Sequence, residues 1–388
     1  MKRKICVATG TRAEFGLLRG LLQKMHKHKD VDLQLVVTGM HLCSDFGMTV
    51  SEIEDSGIPI RERVEMLLAS DSPEAVTKSI GLGVIGFADV FSRLRPDLLV
   101  LLGDRFEALA AAQAAMVARI PIGHISGGEA TEGLVDEAIR HSITKMSHFH
   151  FTATEVYRRR VIQLGEDPGR VFNAGSLAVD AIERAKLMSA KSLEESLGFR
   201  VDRETILVTH HPVTLGDDRA NEEMRELLKV LAARTENRFL FTYPNADPLG
   251  RAIIRLIDDF ISEHSDRAVA FPSLGQFRYL SAMKLCGVVM GNSSSGIVEA
   301  PALGVPTVNI GDRQRGRLTA SSVVSCGSSA REIADGLEMA LSTDFRARLK
   351  DITNPYGAGG AEDTILGKLV SVPLHNVLMK KFYDWESR

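Results

Sequence analysis

Cysteine is scarce: Cys6, Cys43, Cys286 and Cys326 are the only four in 388 residues, and no two stand at the spacing of a metal-binding or redox motif. Three of them sit in apolar surroundings, so they read as reduced core residues rather than as staples of the fold. An excess of charge is lacking too. The formal net charge of -3 is small for this length and argues against a general nucleic-acid or membrane-surface binder, so an anionic ligand must be held locally. No apolar run reaches the roughly 18 residues of a membrane span. Met1-Lys2-Arg3-Lys4 is followed by a few apolar residues and then Thr9-Gly10-Thr11-Arg12, which is no signal-peptide core. Repeats and low-complexity tracts are also missing. A cytoplasmic globular protein is the expectation, long enough for two domains that each bury a core.

What is present is alternation. Apolar runs at residues 5–8, 33–38, 98–102, 120–125 and around His150 read as buried strands, and helical stretches at 15–26, 74–94 and 107–117 lie between them. That order is the mark of a doubly wound parallel sheet. Residues 171–176 supply a last strand and turn before the charged, Ala- and Lys-rich stretch 180–203, the expected crossing to a second domain. Strands are then expected at 205–209, 238–243, 268–271, 287–290 and 307–310, with helices such as 222–234 and 249–262 between them. The fold class expected is α/β, two Rossmann-like domains with a central cleft. Its parts are 1–178, 179–365, and a C-terminal helix, 366–388, returning to the first domain with Trp385 as a packing anchor.

Chemistry-bearing residues fall at the carboxyl ends of these strands, where open α/β sheets place their ligands. Gly103-Asp104-Arg105 follows the strand at 98–102, Ser126-Gly127-Gly128-Glu129 turns after the next, and Asp136-Glu137 opens a helix, so four acids gather in one region. In the second half, Gly291-Asn292-Ser293-Ser294-Ser295-Gly296 stands between an apolar strand and a helix that carries Glu299. Small residues permit close backbone approach, and N–H and hydroxyl groups at a helix N-terminus bind phosphate oxygens, which makes a diphosphate cradle. A Ser-rich helix cap is the plainer alternative. Gly311-Asp312-Arg313-Gln314-Arg315-Gly316-Arg317 supplies cations for the same phosphates, with a solvated charge run the plainer account of Arg315 or Arg317. Gly10-Thr11-Arg12 repeats the logic after the first strand.

Together with Gly10-Thr11-Arg12-Ala13-Glu14 and Gly127-Gly128-Glu129, the run Ile139-Arg140-His141-Ser142-Ile143-Thr144-Lys145 and the tetrapeptide Asn354-Pro355-Tyr356-Gly357 complete an ordered set over nearly the whole chain. The set resembles the hydrolysing UDP-N-acetylglucosamine 2-epimerases of sialic-acid synthesis. A cousin branch acts on UDP-N,N'-diacetylbacillosamine in legionaminic-acid synthesis, and Glu129-Ala130-Thr131-Glu132-Gly133 fits that branch as well. The resemblance implies a GT-B-like fold with the nucleotide mainly on the C-terminal domain. Matched by motif, Ser293, Ser294, Glu299 and Arg313 would hold UDP, the serines at phosphate and Glu299 at the ribose hydroxyls, with Arg12 and Arg105 reaching in from the N-terminal side. His211, in Thr209-His210-His211-Pro212, matches the family's active-site histidine, although a His after a strand is more often structural. Asp104, Asp136 and Glu137 match its catalytic carboxylates. One departure stands out. Where other branches have a catalytic glutamate this sequence has Ser126, and Glu129 either fills that space or leaves the duty to Asp104 and Glu137.

The implied reaction turns UDP-N-acetylglucosamine into UDP and N-acetylmannosamine. Anti elimination removes the C2 proton while the C1–O bond breaks; water then adds to the glycal at C1 and a proton returns to the other face of C2. The C2 proton has no carbonyl beside it, so stabilising the departing diphosphate is the main catalytic demand, with carboxylates as base and acid. No metal or redox cofactor is required. A homodimer or dimer of dimers is expected, with a UDP-sugar as the ligand and neither nucleic acid nor membrane as a partner. A glycosyltransferase of the same fold competes, since fold does not fix function. A nucleotide-sugar sensor fits less well, because carboxylates beside a diphosphate weaken plain binding.

Overall fold

The computed structural model describes residues 2–70, 72–132, 134–212, 220–244 and 250–385. The chain forms two compact units, one comprising Met1–Glu129, Asp136–Ala181 and Tyr356–Arg388, the other Ala130–Val135 and Ile182–Pro355. The first unit therefore runs to Ala181 and recovers the chain at Tyr356, rather than at the expected 178 and 366. Asp180 explains both shifts. Its carboxylate accepts the backbone N–H groups of Ala361 (3.2 Å) and Glu362 (2.7 Å), capping the helix Ala361–Ser371 from within the same unit.

In the first unit β1 (Arg3–Thr9), β2 (Val31–Thr38), β3 (Ile60–Val64), β4 (Leu98–Leu102), β5 (Ile122–Ile125), β6 (Phe149–Thr152) and β7 (Val171–Asn173) pair in the order β3-β2-β1-β4-β5-β6-β7. Every pairing is parallel. Helices cover both faces, which is why Leu98–Leu102 is buried at all five positions and reads as an unbroken apolar run. The second unit repeats the plan with β8 (Thr205–Thr209), β9 (Arg238–Thr242), β10 (Ala268–Phe271), β11 (Val288–Gly291), β12 (Thr307–Ile310) and β13 (Val323–Cys326), ordered β10-β9-β8-β11-β12-β13. Two parallel-sheet α/β units is the fold class the sequence implied.

Two strands escaped the sequence. β3 carries Arg61, Glu62 and Arg63 and alternates between half-buried and exposed positions until the buried Val64, while β13 is partly exposed throughout. Each lies at a sheet edge, where one flank needs no apolar run. The C-terminal expectation also needs correction: the helix is Ala361–Ser371, and residues 372–385 continue without helix. Pro373 disfavours helical backbone at Val372 and ends it there. The tail that follows is tied down by Lys380, whose Nζ reaches the buried Glu166 carboxylate at 2.6 Å and donates to the carbonyl of Ser147 at 2.6 Å. Trp385 is 53% exposed, so it does not anchor packing as expected.

Among the described residues one helix, Pro73–Leu94, is long and apolar enough by length and composition to cross a membrane. It packs through Gly83 and Gly86 onto Met66 and Val64 of its own unit. All four cysteines are free, and Cys6 and Cys286 are buried, their thiols pushed well above the ordinary range by burial.

Candidate active site

Both sheets reverse direction of winding once, and the residues of interest follow the strands that flank those points. In the first unit the reversal lies between β1 and β4, which lead into Gly10-Thr11-Arg12 and Gly103-Asp104-Arg105. In the second it lies between β8 and β11, which lead into His210-His211 and Asn292-Ser293-Ser294. Chains that wind to opposite sides at such a point leave a crevice at the carboxyl ends of the strands, the usual seat of ligands in open α/β sheets.

The first unit is organised by Arg140, whose place in the motif at 139–145 marks no role by itself. It lies on the helix Val135–Met146, is 1% exposed, and gathers acids from three separate segments. Its Nε donates to Asp104 Oδ2 at 2.9 Å and Nη2 makes a shorter bond to the same oxygen; Nη1 donates to Glu137 Oε2 at 2.5 Å and to the Glu129 carbonyl at 3.0 Å. Burial alone would lower the guanidinium pKa, yet Asp104, Glu129 and Glu137 more than offset it and the net shift is upward. A buried cation with several acidic partners fixes the carboxylates in place, since neither side can leave without stranding the other. Glu137 also meets His141 Nε2 at 3.0 Å through its second oxygen.

His124 supports the same loop from below. Burial pushes its pKa down to about 4, so the ring is neutral near pH 7. Nε2 then donates to the Gly103 carbonyl at 2.7 Å, and Nδ1 accepts from the Thr144 hydroxyl at 3.1 Å. This holds the turn that presents Asp104. Ser126 has φ 65°, an uncommon left-handed backbone for a residue with a Cβ, and its N–H bonds to the Phe151 carbonyl at 2.9 Å.

A second acidic feature sits beside β1 and was not foreseen. Glu107, 1% exposed, pairs with Arg105 at 3.5 Å, and Gly39, at φ +59°, leaves the space it needs, because a Cβ there would stand 2.8 Å from Glu107 Cγ. Glu14, which accepts the N–H groups of Gly10 (2.7 Å) and Thr11 (3.1 Å), has its pKa raised to about 8 by burial and by the charge of Glu107. Arg12 is engaged by both oxygens of Glu52, one at 3.0 Å from Nε.

In the second unit Asn292 ties three motifs together. Its side chain accepts the His211 N–H at 2.7 Å and donates to the His211 carbonyl at 2.8 Å, while its own carbonyl accepts from Arg313 Nη1 (3.1 Å) and Gln314 Nε2 (2.8 Å). Gly291, at φ +128°, is obligatory there, because a Cβ would stand 2.1 Å from the Thr209 carbonyl. Ser293 caps the helix Ser294–Ala302, and Ser294 is exposed at its first position. Glu299 on that helix has its pKa raised to about 7 by burial, against the opposing pull of Arg317. Arg315 pairs with Glu132 at 3.2 Å, as an exposed ion pair. Among the described residues no group of three or more His, Cys, Asp or Glu is placed to hold a metal ion.

The sequence matches the family model described as UDP-N-acetylglucosamine 2-epimerase over residues 23–370. This chain belongs to that 2-epimerase family. Among its relatives, the GDP/UDP-N,N'-diacetylbacillosamine 2-epimerase (hydrolyzing) of Campylobacter jejuni is 41% identical over 384 residues, covering 99% of both chains. The UDP-N,N'-diacetylbacillosamine 2-epimerase (hydrolyzing) of Legionella pneumophila is 35% identical over 381 residues, covering 98% of this chain and 99% of that one. The crystal structure of UDP-GlcNAc 2-epimerase from Neisseria meningitidis bound to UDP-GlcNAc superposes with a TM-score of 0.83 at 21% identity, covering 95% of this chain and all of that one, and the fold is accordingly the GT-B-like one.

For this member of the family, the expected site residues divide cleanly by unit. Asp104, Glu129 and Glu137 meet at Arg140, with Asp136 adjacent on the same helix. Ser293, Arg313 and His211 meet at Asn292 and the loop around it, with Ser294 and Glu299 on the helix that follows. Arg12 and Arg105 belong to the first unit and each faces an acid of that unit, Glu52 and Glu107.

Proposed function

We propose that this protein is a hydrolysing 2-epimerase acting on UDP-N,N'-diacetylbacillosamine, releasing UDP and the free sugar inverted at C2. The observation that carries the reaction type is the set of carboxylates held on Arg140 in a family of 2-epimerases. The choice of sugar rests on the two relatives named for it, which the chain matches over nearly its full length; this favours it over UDP-N-acetylglucosamine.

In this reading the acids around Arg140 move the protons. One carboxylate removes the C2 proton as the C1–O bond breaks, giving UDP and the glycal; water adds at C1 and a second carboxylate returns a proton to the opposite face of C2. Anchoring on one guanidinium suits this division, because it fixes the directions of the acids. Departure of UDP supplies the driving force, so donors must await the charge that grows on the leaving phosphate. The hydroxyls of Ser293 and Ser294, the first turn of their helix and Arg313 fill that role, and Glu299 accepts from the ribose. His211, its backbone clamped by Asn292, serves the reacting sugar. Four unpaired thiols fit a reducing, cytoplasmic setting.

The test is to give the purified protein each UDP-sugar alone, measure UDP release and identify the sugar by NMR. UDP and a C2-inverted free sugar are expected from UDP-N,N'-diacetylbacillosamine, at a rate well above that with UDP-N-acetylglucosamine. Turnover confined to UDP-N-acetylglucosamine would move the substrate to the sialic-acid branch. A UDP-sugar left intact until an acceptor is added would replace the epimerase with a transferase.

A further inference from the structure

Behind the serine loop of the second unit runs a chain of hydroxyl groups with a defined direction. Ser293 Oγ accepts twice, from the Ser295 backbone N–H at 3.4 Å and from the Ser295 hydroxyl at 3.0 Å. Ser295 Oγ has given its only proton to Ser293, so at its 2.6 Å contact with the Tyr279 hydroxyl it accepts, and Tyr279 donates. Tyr279 in turn lies 3.5 Å from Thr209 Oγ1, which is bonded to Thr242 Oγ1 at 2.6 Å. A serine whose two lone pairs are both occupied has one function left, to donate.

We infer that Tyr279, through Ser295, is a positioning residue that commits the Ser293 hydroxyl to donating its proton outward, to the diphosphate of the nucleotide. The inference rests on the reading of this loop as the UDP cradle. Its physical basis is satisfaction of lone pairs and polarisation along the chain: each donated proton strengthens the next donor, and a serine that only accepts from its own side has no competing inward partner for its hydrogen. A serine left free to rotate would spend part of its time donating back into the protein and presenting lone pairs to the phosphate, which repels them. The tyrosine suits the post because burial pushes its pKa up to about 12, so it remains a protonated donor across the working range. The cradle is thereby selective for an anion over a neutral ligand at the same place.

The experiment is isothermal titration of the full chain with UDP and, separately, with uridine, for wild type and for Tyr279→Phe, Ser293→Ala and the double variant. Tyr279→Phe removes one oxygen at the far end of the chain and keeps the ring. It is expected to weaken UDP about threefold to tenfold, the worth of one ordinary hydrogen bond, and to leave uridine within about twofold. On the Ser293→Ala background the same change should cost UDP affinity less than about twofold, since the hydroxyl it directs is gone. Thr209→Val, which breaks the chain one link further back, should act in the same direction and more weakly. Equal losses for UDP and uridine, or additive losses in the double variant, would show a merely structural tyrosine and overturn the inference. Unchanged UDP affinity in Tyr279→Phe would overturn it as well. A wild-type protein that binds no UDP would instead overturn the proposed function, and this inference with it.

Discussion

Arg140→Met tests the heart of the first unit. The methionine retains most of the buried hydrocarbon, but Asp104, Glu137 and the Glu129 carbonyl lose the donors that now reach them at 2.9, 2.5 and 3.0 Å. Removing one partner from a buried ion pair usually costs about 3–5 kcal/mol, because the other charge stays behind without compensation. At roughly 2–4 °C per kcal/mol for a domain of this class, the melting transition should fall by about 6–20 °C. Arg140→Lys keeps the charge but has no planar fork to serve two carboxylates and a carbonyl, and should fall between wild type and Arg140→Met. The decisive comparison is Asp104→Asn in the Arg140→Met background. If stranded charge is the cause, the second change restores part of the lost stability, although Asp104→Asn alone destabilises. Thermal and urea unfolding of wild type and the four variants at one pH measures this. An Arg140→Met variant that melts with wild type, or a double variant whose losses simply add, would refute the reasoning.

Glu14→Gln should change the pH dependence of stability. The folded pKa of Glu14, about 8, lies above its ordinary 4.5, so its contribution is complete below about pH 4.5 and is lost as pH rises through 8. The variant should therefore lose less stability than wild type between pH 5 and 9, by on the order of 2 kcal/mol after allowance for partial exposure, and identical unfolding profiles would count against the buried acid pair. Glu299→Gln should weaken uridine about tenfold at pH 8 and less at pH 6, as the proposed role at the ribose hydroxyls requires of a carboxyl raised to about 7. A loss independent of pH would contradict this. Deleting residues 372–388 removes Lys380 from Glu166 and should lower stability by about 1–3 kcal/mol, with a larger deficit at neutral pH than near pH 2. The sign follows because Glu166 is held at about 2: burial pushes it up, but His150, Lys145 and Lys380 pull it further down, so its stabilisation is present above the ordinary carboxylate pKa and fades in acid.

Much of this was legible in the chain, and the reasons differ residue by residue. Fully buried parallel strands announce themselves as apolar runs, so Leu98–Leu102 and Val288–Gly291 stood out with their loops, whereas the edge strand Ile60–Val64 carries charges at alternate positions and looks like a loop. Asp104 was visible as an acid at a strand end. Arg140 was not assigned a role, because an arginine three residues after a glutamate on a helix ordinarily means a surface pair, and its bond to Asp104 spans 36 residues. Asn292 passed for a spacer in a small-residue loop until the fold set its amide against the backbone of His211, 81 residues away. Glu14 and Glu107 gave one faint sign, since Gly10 and Gly39 are small where Glu107 must fit. The C-terminal segment misled through its apolar content, and Pro373 was the signal against a continuous helix.

In the proposed reaction the C2 proton of a UDP-sugar leaves and is replaced from solvent as UDP departs. Turnover in deuterium oxide, followed by NMR of the released sugar, reports it directly. One deuterium at C2 of an epimerised free sugar is expected, with that incorporation abolished in Asp104→Asn while UDP still binds. A released sugar that keeps its original configuration and its protium at C2 would contradict it, because the C1–O bond would then have broken by simple hydrolysis.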